Sequence, residues 1–366
     1  MCYYAYIYIQ EMVEKLKKLN EKQRQRLMVE SQNAIRELQK KKKHKCKKHT
    51  IKTRTNKAYS HRFHNNNKKT VNMVVPQIFS ITNNTNETLD FFNQVYRELK
   101  RLRYRENLFF NFANAETVTV DAIMYLIALL KNTQYIKVMQ IGCSGNIPNN
   151  KEAQRVIETS GFFDYVTPQY SVQYHDRVNI SISSGYGADP MLVGSVCDFV
   201  HNNSSLNRLD TKSLFPMIME LMTNVKQHAY GYKDNIKSKW YIFVENKTNQ
   251  IQFVFLDTGA GIPKTIRTNF LEKIKNVADN NDAYFISSAL KGAYRTETKE
   301  EHRGKGMPEI YNRVSEKTIS DFSIVSCGGR CDVKNDGTII ETKLSSELMG
   351  TLFYWNLNKN RKDDKI

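Results

Sequence analysis

Residues 256–264 read LDTGAGIPK and come directly after a run of apolar residues. That run predicts a buried strand over residues 251–256, which ends at Asp257 and is followed by a loop holding Gly259 and Gly261. Taken alone, an aspartate and two glycines behind a strand form a turn more often than a binding site. The meaning of this stretch therefore depends on the segments that precede and follow it.

Three other segments matter to its interpretation. Upstream, SLFPMIMELMTNVKQHAYGY predicts an amphipathic helix on which Glu220 and Asn224, four residues apart, share one face. Downstream, RGKGM places Gly304 and Gly306 ahead of a helix, where free N–H groups and the helix dipole favour phosphate. Residues 349–357, MGTLFYWNL, predict a final strand that opens with a Gly-Thr pair. Each feature alone is common, so the order of all four carries the inference.

In this order the segments resemble the nucleotide site of the GHKL superfamily, which includes gyrase, MutL, heat-shock chaperones, histidine kinases and anti-sigma serine kinases. ELMTNVKQHA resembles its N box, LDTGAGIP its first glycine box, RGKGM its second and GT its last motif, over residues from about 210 to 357. The resemblance implies an α+β chain with a Bergerat-type α/β sandwich, in which a mixed sheet carries helices on one face. It also implies binding of ATP and Mg²⁺.

The resemblance implies roles for individual residues. Asn224 would coordinate Mg²⁺ through its side-chain oxygen, and Asp257 would accept a hydrogen bond from the adenine amino group. Glu220 would orient or deprotonate the attacking water, and residues 264–303 would form a mobile lid. The other expected ATP contacts are Gly259 and Gly261 near the base and ribose, Gly304, Lys305 and Gly306 over the phosphates, Thr351 near the base, and His228. His228 is equally compatible with a packed core side chain.

Residues 76–168 predict a small α/β domain. The stretch NLFFNFANAETVTVDAIMYLIALLKN predicts a strand followed by a buried helix, residues 135–142 predict a second strand, and residues 151–166 predict a helix whose end is marked by Gly161. The acidic Asp121 that opens TVDAIMYLIALL, together with the closing ETSGFFDYV, resembles a STAS domain, the fold of anti-sigma-factor antagonists. Phosphorylatable members carry a serine at the start of that helix, where this chain has Asp121, Ala122 and Ile123. The resemblance therefore implies an interaction domain, with the ATP-binding domain following over residues 169–358.

The net charge of +18 is concentrated at one end of the chain. Residues 1–75 hold 20 Lys and Arg against 5 Glu, so the rest is close to neutral. Good helix formers from Glu11 to about Lys43 predict a partly exposed helix, and the basic segment behind it is too polar to fold. This tail is either an arm for nucleic acid or a solvated linker. A short charged tail, residues 359–366, ends the sequence.

Composition predicts a soluble, cytoplasmic protein. The longest apolar runs are well short of the roughly 20 residues that a membrane span needs. The first residues lack the features of a signal peptide. The six cysteines are scattered and predict neither a zinc site nor a disulfide framework.

Three functions compete at this point. The first is an ATPase, or an ATP-driven conformational switch, that acts on a protein partner through the STAS-like domain, as in bacterial proteins of this architecture. The second is a protein serine/threonine kinase of the anti-sigma type, and the third is a nucleic-acid-associated protein that uses the basic tail. No histidine has the sequence context of a phosphoacceptor, and no transducer domain is expected behind Leu357. A homodimer stays open, and no membrane contact is expected.

Overall fold

The structure is a computed structural model that describes residues 69–133, 136–137, 139–165, 179–206, 214–227, 238–269, 281–293, 306–315 and 319–359. All of these residues fall in one compact unit. The basic tail up to residue 68, most of the C-terminal tail and much of the expected lid lie outside the described residues. His228, Gly304 and Lys305 lie outside them as well.

The described helices are α1 (Thr85–Arg101), α2 (Val120–Asn132), α3 (Lys151–Thr159), α4 (Pro190–Asn202), α5 (Leu214–Gln227), α6 (Ile262–Asn269), α7 (Asp282–Leu290) and α8 (Gly306–Ser315). The strands are β1 (Thr70–Val74), β2 (Ile78–Phe79), β3 (Asn107–Asn111), β4 (Thr117–Val118), β5 (Gly142–Gly145), β6 (Asn179–Gly185), β7 (Trp240–Asn246), β8 (Gln250–Asp257), β9 (Ile319–Val333) and β10 (Ile339–Asn358). Helices combined with parallel and antiparallel sheets confirm the α+β class. Within these described ranges, no helix combines the length and apolar character that crossing a membrane requires.

The larger sheet has five strands in the order β6-β7-β8-β10-β9. Its four strand pairings are all antiparallel, which corrects the expectation of a mixed sheet. The reason is local: short turns join β7 to β8 and β9 to β10, and such turns connect antiparallel neighbours. In the first turn, the N–H of Lys247 donates to the carbonyl of Gln250 at 2.9 Å.

One face of this sheet is covered by helices of the second half of the chain. The helices α4, α5, α7 and α8 share a hydrophobic core with Trp240, Phe253 and Trp355. The rings of Phe253 and Trp355 stack with centroids 4.8 Å apart. The apolar stripe predicted for α5 is confirmed in part: Ile218, Met222 and Val225 are buried, whereas Phe215 is exposed and Met219 is only partly buried. Leu214, Met217 and Leu221 complete the buried face.

The opposite face of the same sheet packs against the first half of the chain. Side chains alternate along each strand, so Tyr241 and Phe243 point away from α5 and join a second core with α1 and α2. All the residues of α2 from Val120 to Leu129 are buried. Beyond them lies a parallel sheet in the order β1-β3-β5. One hydrophobic core therefore extends across the predicted domain boundary near residue 168.

Two predicted boundaries differ from the structure. The strand expected over residues 135–142 is β5 at Gly142–Gly145, because Gln140 has φ +50 and the Ile141 N–H closes a turn on the Ile136 carbonyl. At the start of the fold, β1 begins at Thr70 inside the segment assigned to the tail. It pairs in parallel with β3 and buries Met73.

The expected lid also contains a core element. Helix α7 lies within residues 264–303, and six of its side chains are buried, Phe285 and Ile286 among them. It packs along β9, where the Asp282 carboxylate accepts a hydrogen bond from the Gly328 N–H at 2.7 Å. A helix packed in this way is part of the folded body, so the idea that the whole segment is mobile was wrong for α7.

Candidate functional site

The centre of the candidate site is the end of β8. Asp257 is the last residue of this strand and lies directly opposite Thr351 of β10 and Trp240 of β7. By the alternation of the strand, its side chain points to the same face as Phe255, the face that α5 covers. Thr351 is fully buried and Asp257 partly so. The sheet thus brings together two predicted site residues that are far apart in the sequence.

The environment of the Asp257 carboxylate is unusual for an acidic residue at the end of a strand. Burial raises its pKa from 3.8 to about 6, although a hydrogen bond from the Gly259 N–H and the contact with the Thr351 side chain act in the opposite direction. The carboxylate is therefore mostly ionised at pH 7, with incomplete solvation. Such a group is well suited to accept a hydrogen bond from a bound polar ligand.

The loop behind Asp257 is held close to β9. Gly261 has φ +87, and a Cβ there would come within 2.7 Å of the Cys327 sulfur and 2.9 Å of the Ser326 oxygen. One residue later, the Ile262 N–H donates to the Ser326 hydroxyl at 3.0 Å. Glycine is required at residue 261 both for its conformation and for this close approach.

Ser326 and Gly350 support the site, although neither was among the predicted ATP contacts. The Ser326 hydroxyl donates to the Gly350 carbonyl at 2.9 Å and lies 3.0 Å from the Thr351 hydroxyl. Together with its bond from Ile262, it joins the glycine loop, β9 and β10. Gly350 has φ +108, and a Cβ there would be 2.0 Å from the Asp257 carbonyl oxygen. The Gly-Thr pair was visible in the sequence, whereas a serine inside a strand gives no signal.

The helices expected to complete the site lie on the same face of the sheet. Glu220 and Asn224 are partly buried on α5, whose apolar stripe packs into the core around Phe255. Helix α8, which begins at Gly306, packs against α5, α7 and β9. The structure therefore places Asp257, Gly259, Gly261 and Thr351 together, and the helices that carry Glu220, Asn224 and Gly306 on the face to which Asp257 points.

Metal ligands are sparse in this region. Within the described ranges, no group of three or more His, Cys, Asp or Glu side chains could hold a metal ion. Cys327 and Cys331 are buried free thiols in β9, and burial raises the pKa of each, which disfavours the thiolate that a metal or oxidant would need. Mg²⁺ needs no such cluster, because it is usually held by one or two protein oxygens, phosphates and water. Asn224 fits that requirement.

A groove of about 1110 Å³ lies elsewhere, at the carboxyl ends of β1 and β3 beside α1. Its lining is polar and includes Gln77, Asp90, Arg97, Glu116 and Asn149. The described lining contains none of the predicted site residues. Some of its polar groups are also engaged already, since the Ser346 hydroxyl donates to Asp90. The candidate site is therefore placed at the carboxyl end of β8, beside Thr351 in the interior of β10.

Comparison with known proteins adds no assignment. None of the protein-family models matches the chain, and none of the curated proteins matches it significantly. The functional inference consequently depends on the residues and their geometry.

Proposed function

We propose that this chain binds ATP with Mg²⁺ at the carboxyl end of β8, beside Thr351 in the interior of β10, in a Bergerat-type site, and hydrolyses it slowly. The observation that carries the proposal is the environment of Asp257, which lies opposite Thr351 and whose partly buried carboxylate has a raised pKa. The loop that follows is held by Ser326 and has no room for a side chain at Gly261. A loop that served only to reverse the chain would need neither feature.

The base would bind against the carboxylate. The Asp257 carboxylate accepts the Gly259 N–H and contacts the Thr351 side chain, and its remaining lone pairs can accept from the adenine amino group. Guanine and hypoxanthine carry an oxygen at that ring position, so the same carboxylate would repel them. The proposed site therefore selects adenine by hydrogen bonding and charge.

The phosphates would lie toward α5 and α8. Mg²⁺ would be held by the Asn224 side-chain oxygen and would supply charge neutralisation at the phosphates. Glu220, one turn before Asn224, would accept a proton from the attacking water. The N-terminal end of α8 provides N–H groups suited to phosphate. The STAS-like half packs on the other face of the sheet. It would transmit the conformational change caused by ATP binding to a protein partner.

Binding can be tested by calorimetry with Mg-ATP on the wild type and on Asp257→Asn. We expect the variant to lose most of its affinity. Asp336→Asn is a matched control, because Asp336 is exposed in the turn between β9 and β10. Unchanged affinity in Asp257→Asn would overturn the site assignment.

The fate of the phosphoryl group needs a second experiment. Wild-type protein incubated with γ-labelled ATP should release labelled inorganic phosphate. Label that remained on this chain, or on an added STAS-type protein, would instead support a serine/threonine kinase. Release that persisted in Asp257→Asn, when calorimetry shows that the variant no longer binds ATP, would indicate a contaminating ATPase.

A further inference from the structure

Helix α2, from the first half of the chain, reaches both segments that carry the proposed adenine contacts. Its Asn132 side-chain amide donates to the Thr258 hydroxyl at 3.3 Å, in the residue directly behind Asp257. Its Tyr125 hydroxyl accepts from the Met349 N–H at 3.0 Å, two residues before Thr351. Tyr125 and Asn132 are seven residues apart, nearly two helical turns, so both lie on the face of α2 toward the sheet.

The bond to Thr258 completes the hydrogen bonding of its hydroxyl group. This hydroxyl accepts from the Lys239 N–H at 2.9 Å and donates to the Lys239 carbonyl at 3.1 Å. A hydroxyl has one donor and two acceptor positions, and Asn132 fills the remaining acceptor position. The orientation of Thr258 is therefore fixed from two sides, by β7 and by α2.

The orientation of Asn132 is fixed in turn. Its side-chain oxygen accepts from the Tyr241 hydroxyl at 3.3 Å. Burial raises the pKa of Tyr241, so this hydroxyl stays protonated and remains a donor. The amide N–H₂ of Asn132 is consequently left to face Thr258. A chain of three side chains, Tyr241, Asn132 and Thr258, connects the first half of the chain to the loop behind Asp257.

We infer that Asn132 is a positioning residue for adenine recognition, so that the STAS-like half forms part of the nucleotide site. The inference rests on the proposed function. Asn132 does not contact the base; it holds the Thr258 side chain, and through it the loop that follows the Asp257 carboxylate. Movement of α2 against the sheet would change adenine affinity, and adenine binding would in turn favour one position of α2.

The test compares affinities for ATP and for inosine triphosphate, which lacks the 6-amino group. In Asn132→Ala we expect ATP to bind about tenfold more weakly, roughly the effect of one lost hydrogen bond in a buried site, and inosine triphosphate to change by less than about twofold. Loss of base discrimination is the decisive readout, because general loosening of the fold would weaken both nucleotides in parallel.

Two further variants separate positioning from stability. Asn93→Ala is the matched control, because the Asn93 amide also links a helix of the first half to the sheet, at the Glu347 carbonyl, 3.4 Å away and outside the glycine loop. It should leave the ratio of the two affinities unchanged. Tyr241→Phe removes the hydrogen bond that orients Asn132 but keeps Asn132 itself. The ratio of ATP affinity to inosine triphosphate affinity should therefore fall by less in Tyr241→Phe than in Asn132→Ala.

The outcomes are distinct. A wild-type ATP to inosine triphosphate ratio retained in Asn132→Ala would overturn this inference and leave the proposed function standing. Equal losses in Asn132→Ala and Asn93→Ala would also overturn it, since they would show a general packing effect. Absence of ATP binding in the wild type would refute the proposed function itself.

Discussion

Replacement of Asp257 by asparagine should make the protein more stable while it removes ATP binding. The carboxylate is held in a site that raises its pKa to about 6, so its ionised form is less favourable in the folded chain than in the unfolded chain. Asparagine has nearly the same shape and carries no charge. Its side-chain oxygen can keep the bond from the Gly259 N–H. Its N–H₂ group can donate to the Thr351 hydroxyl oxygen, whose own proton can go to the Ser326 hydroxyl 3.0 Å away, because the Ser326 proton is donated to the Gly350 carbonyl.

The size of the effect follows from the shift in pKa. A change from 3.8 to about 6 is roughly two pKa units, and each unit corresponds to about 1.4 kcal/mol, so the upper limit is near 3 kcal/mol. Asp257 is partly exposed, and solvent screening reduces this to about 1–2 kcal/mol. For a chain of this size we expect Tm to rise by about 2–6 °C at pH 7.5.

The sign of the pH dependence is fixed by the direction of the shift. The folded-state pKa is raised, so the protonated form is the favoured one, and its stabilising effect is lost as pH rises through about 6. The gain in unfolding free energy of Asp257→Asn over wild type should be full at pH 7.5 and small at pH 4. Urea unfolding of wild type, Asp257→Asn and the surface control Asp336→Asn at both pH values measures it. A variant less stable than wild type at pH 7.5, or an advantage that does not depend on pH, would refute the reasoning.

Four other substitutions test the fold and the site. Gly350→Ala should destabilise by about 3 kcal/mol or more in urea unfolding, because its φ is +108 and a Cβ would meet the Asp257 carbonyl at 2.0 Å. Gly194→Ala lies inside α4 with no atom within 4 Å of the new Cβ, so it should raise the free energy of unfolding by about 0.5–1 kcal/mol. Similar effects of Gly350→Ala and Gly194→Ala would contradict the argument that the Gly350 backbone excludes a side chain. Glu220→Gln should keep ATP affinity within about twofold and slow phosphate release by about 100-fold, whereas loss of binding would show that its role is different. Phe285→Ala should lower the free energy of unfolding by about 3–5 kcal/mol because α7 belongs to the core. A loss below about 1 kcal/mol would instead support a mobile lid that includes α7.

Elements with a strong apolar period were predictable from the sequence. The period of α5 indicates one buried face, and the continuous apolar runs of β7 and β8 predict strands buried on both faces. In the structure alternate residues of the two strands join two cores. The strand expected over residues 135–142 failed because β5 is built from Gly142–Gly145, residues with little strand preference, through pairing with β3. Partners distant in sequence decide such an element, and local pattern cannot reveal them.

The supporting residues of the candidate site were not predictable for the same reason. Asn132 reads locally as the last residue of a helix, and its partner Thr258 lies 126 residues further along the chain. Ser326 reads as an ordinary polar residue of a strand. Their roles appear only when β8, β9, β10 and α2 are assembled. The sequence could therefore indicate the residues that would touch a nucleotide, and the structure was needed for those that hold them.

Features that lower the stability of the fold are concentrated at the end of β8, and this concentration argues for a function there. A partly buried carboxylate with a raised pKa, at Asp257, and two glycines with positive φ, at Gly261 and Gly350, lie next to one another in the folded chain. The remainder of the sheet is apolar on both faces over much of its length and supplies stability. Sequences tend to depart from the most stable choice where a ligand requires it, and the surrounding structure has to hold the departure in place. Here Ser326 and Asn132 provide that support, through their bonds to Ile262, Gly350 and Thr258.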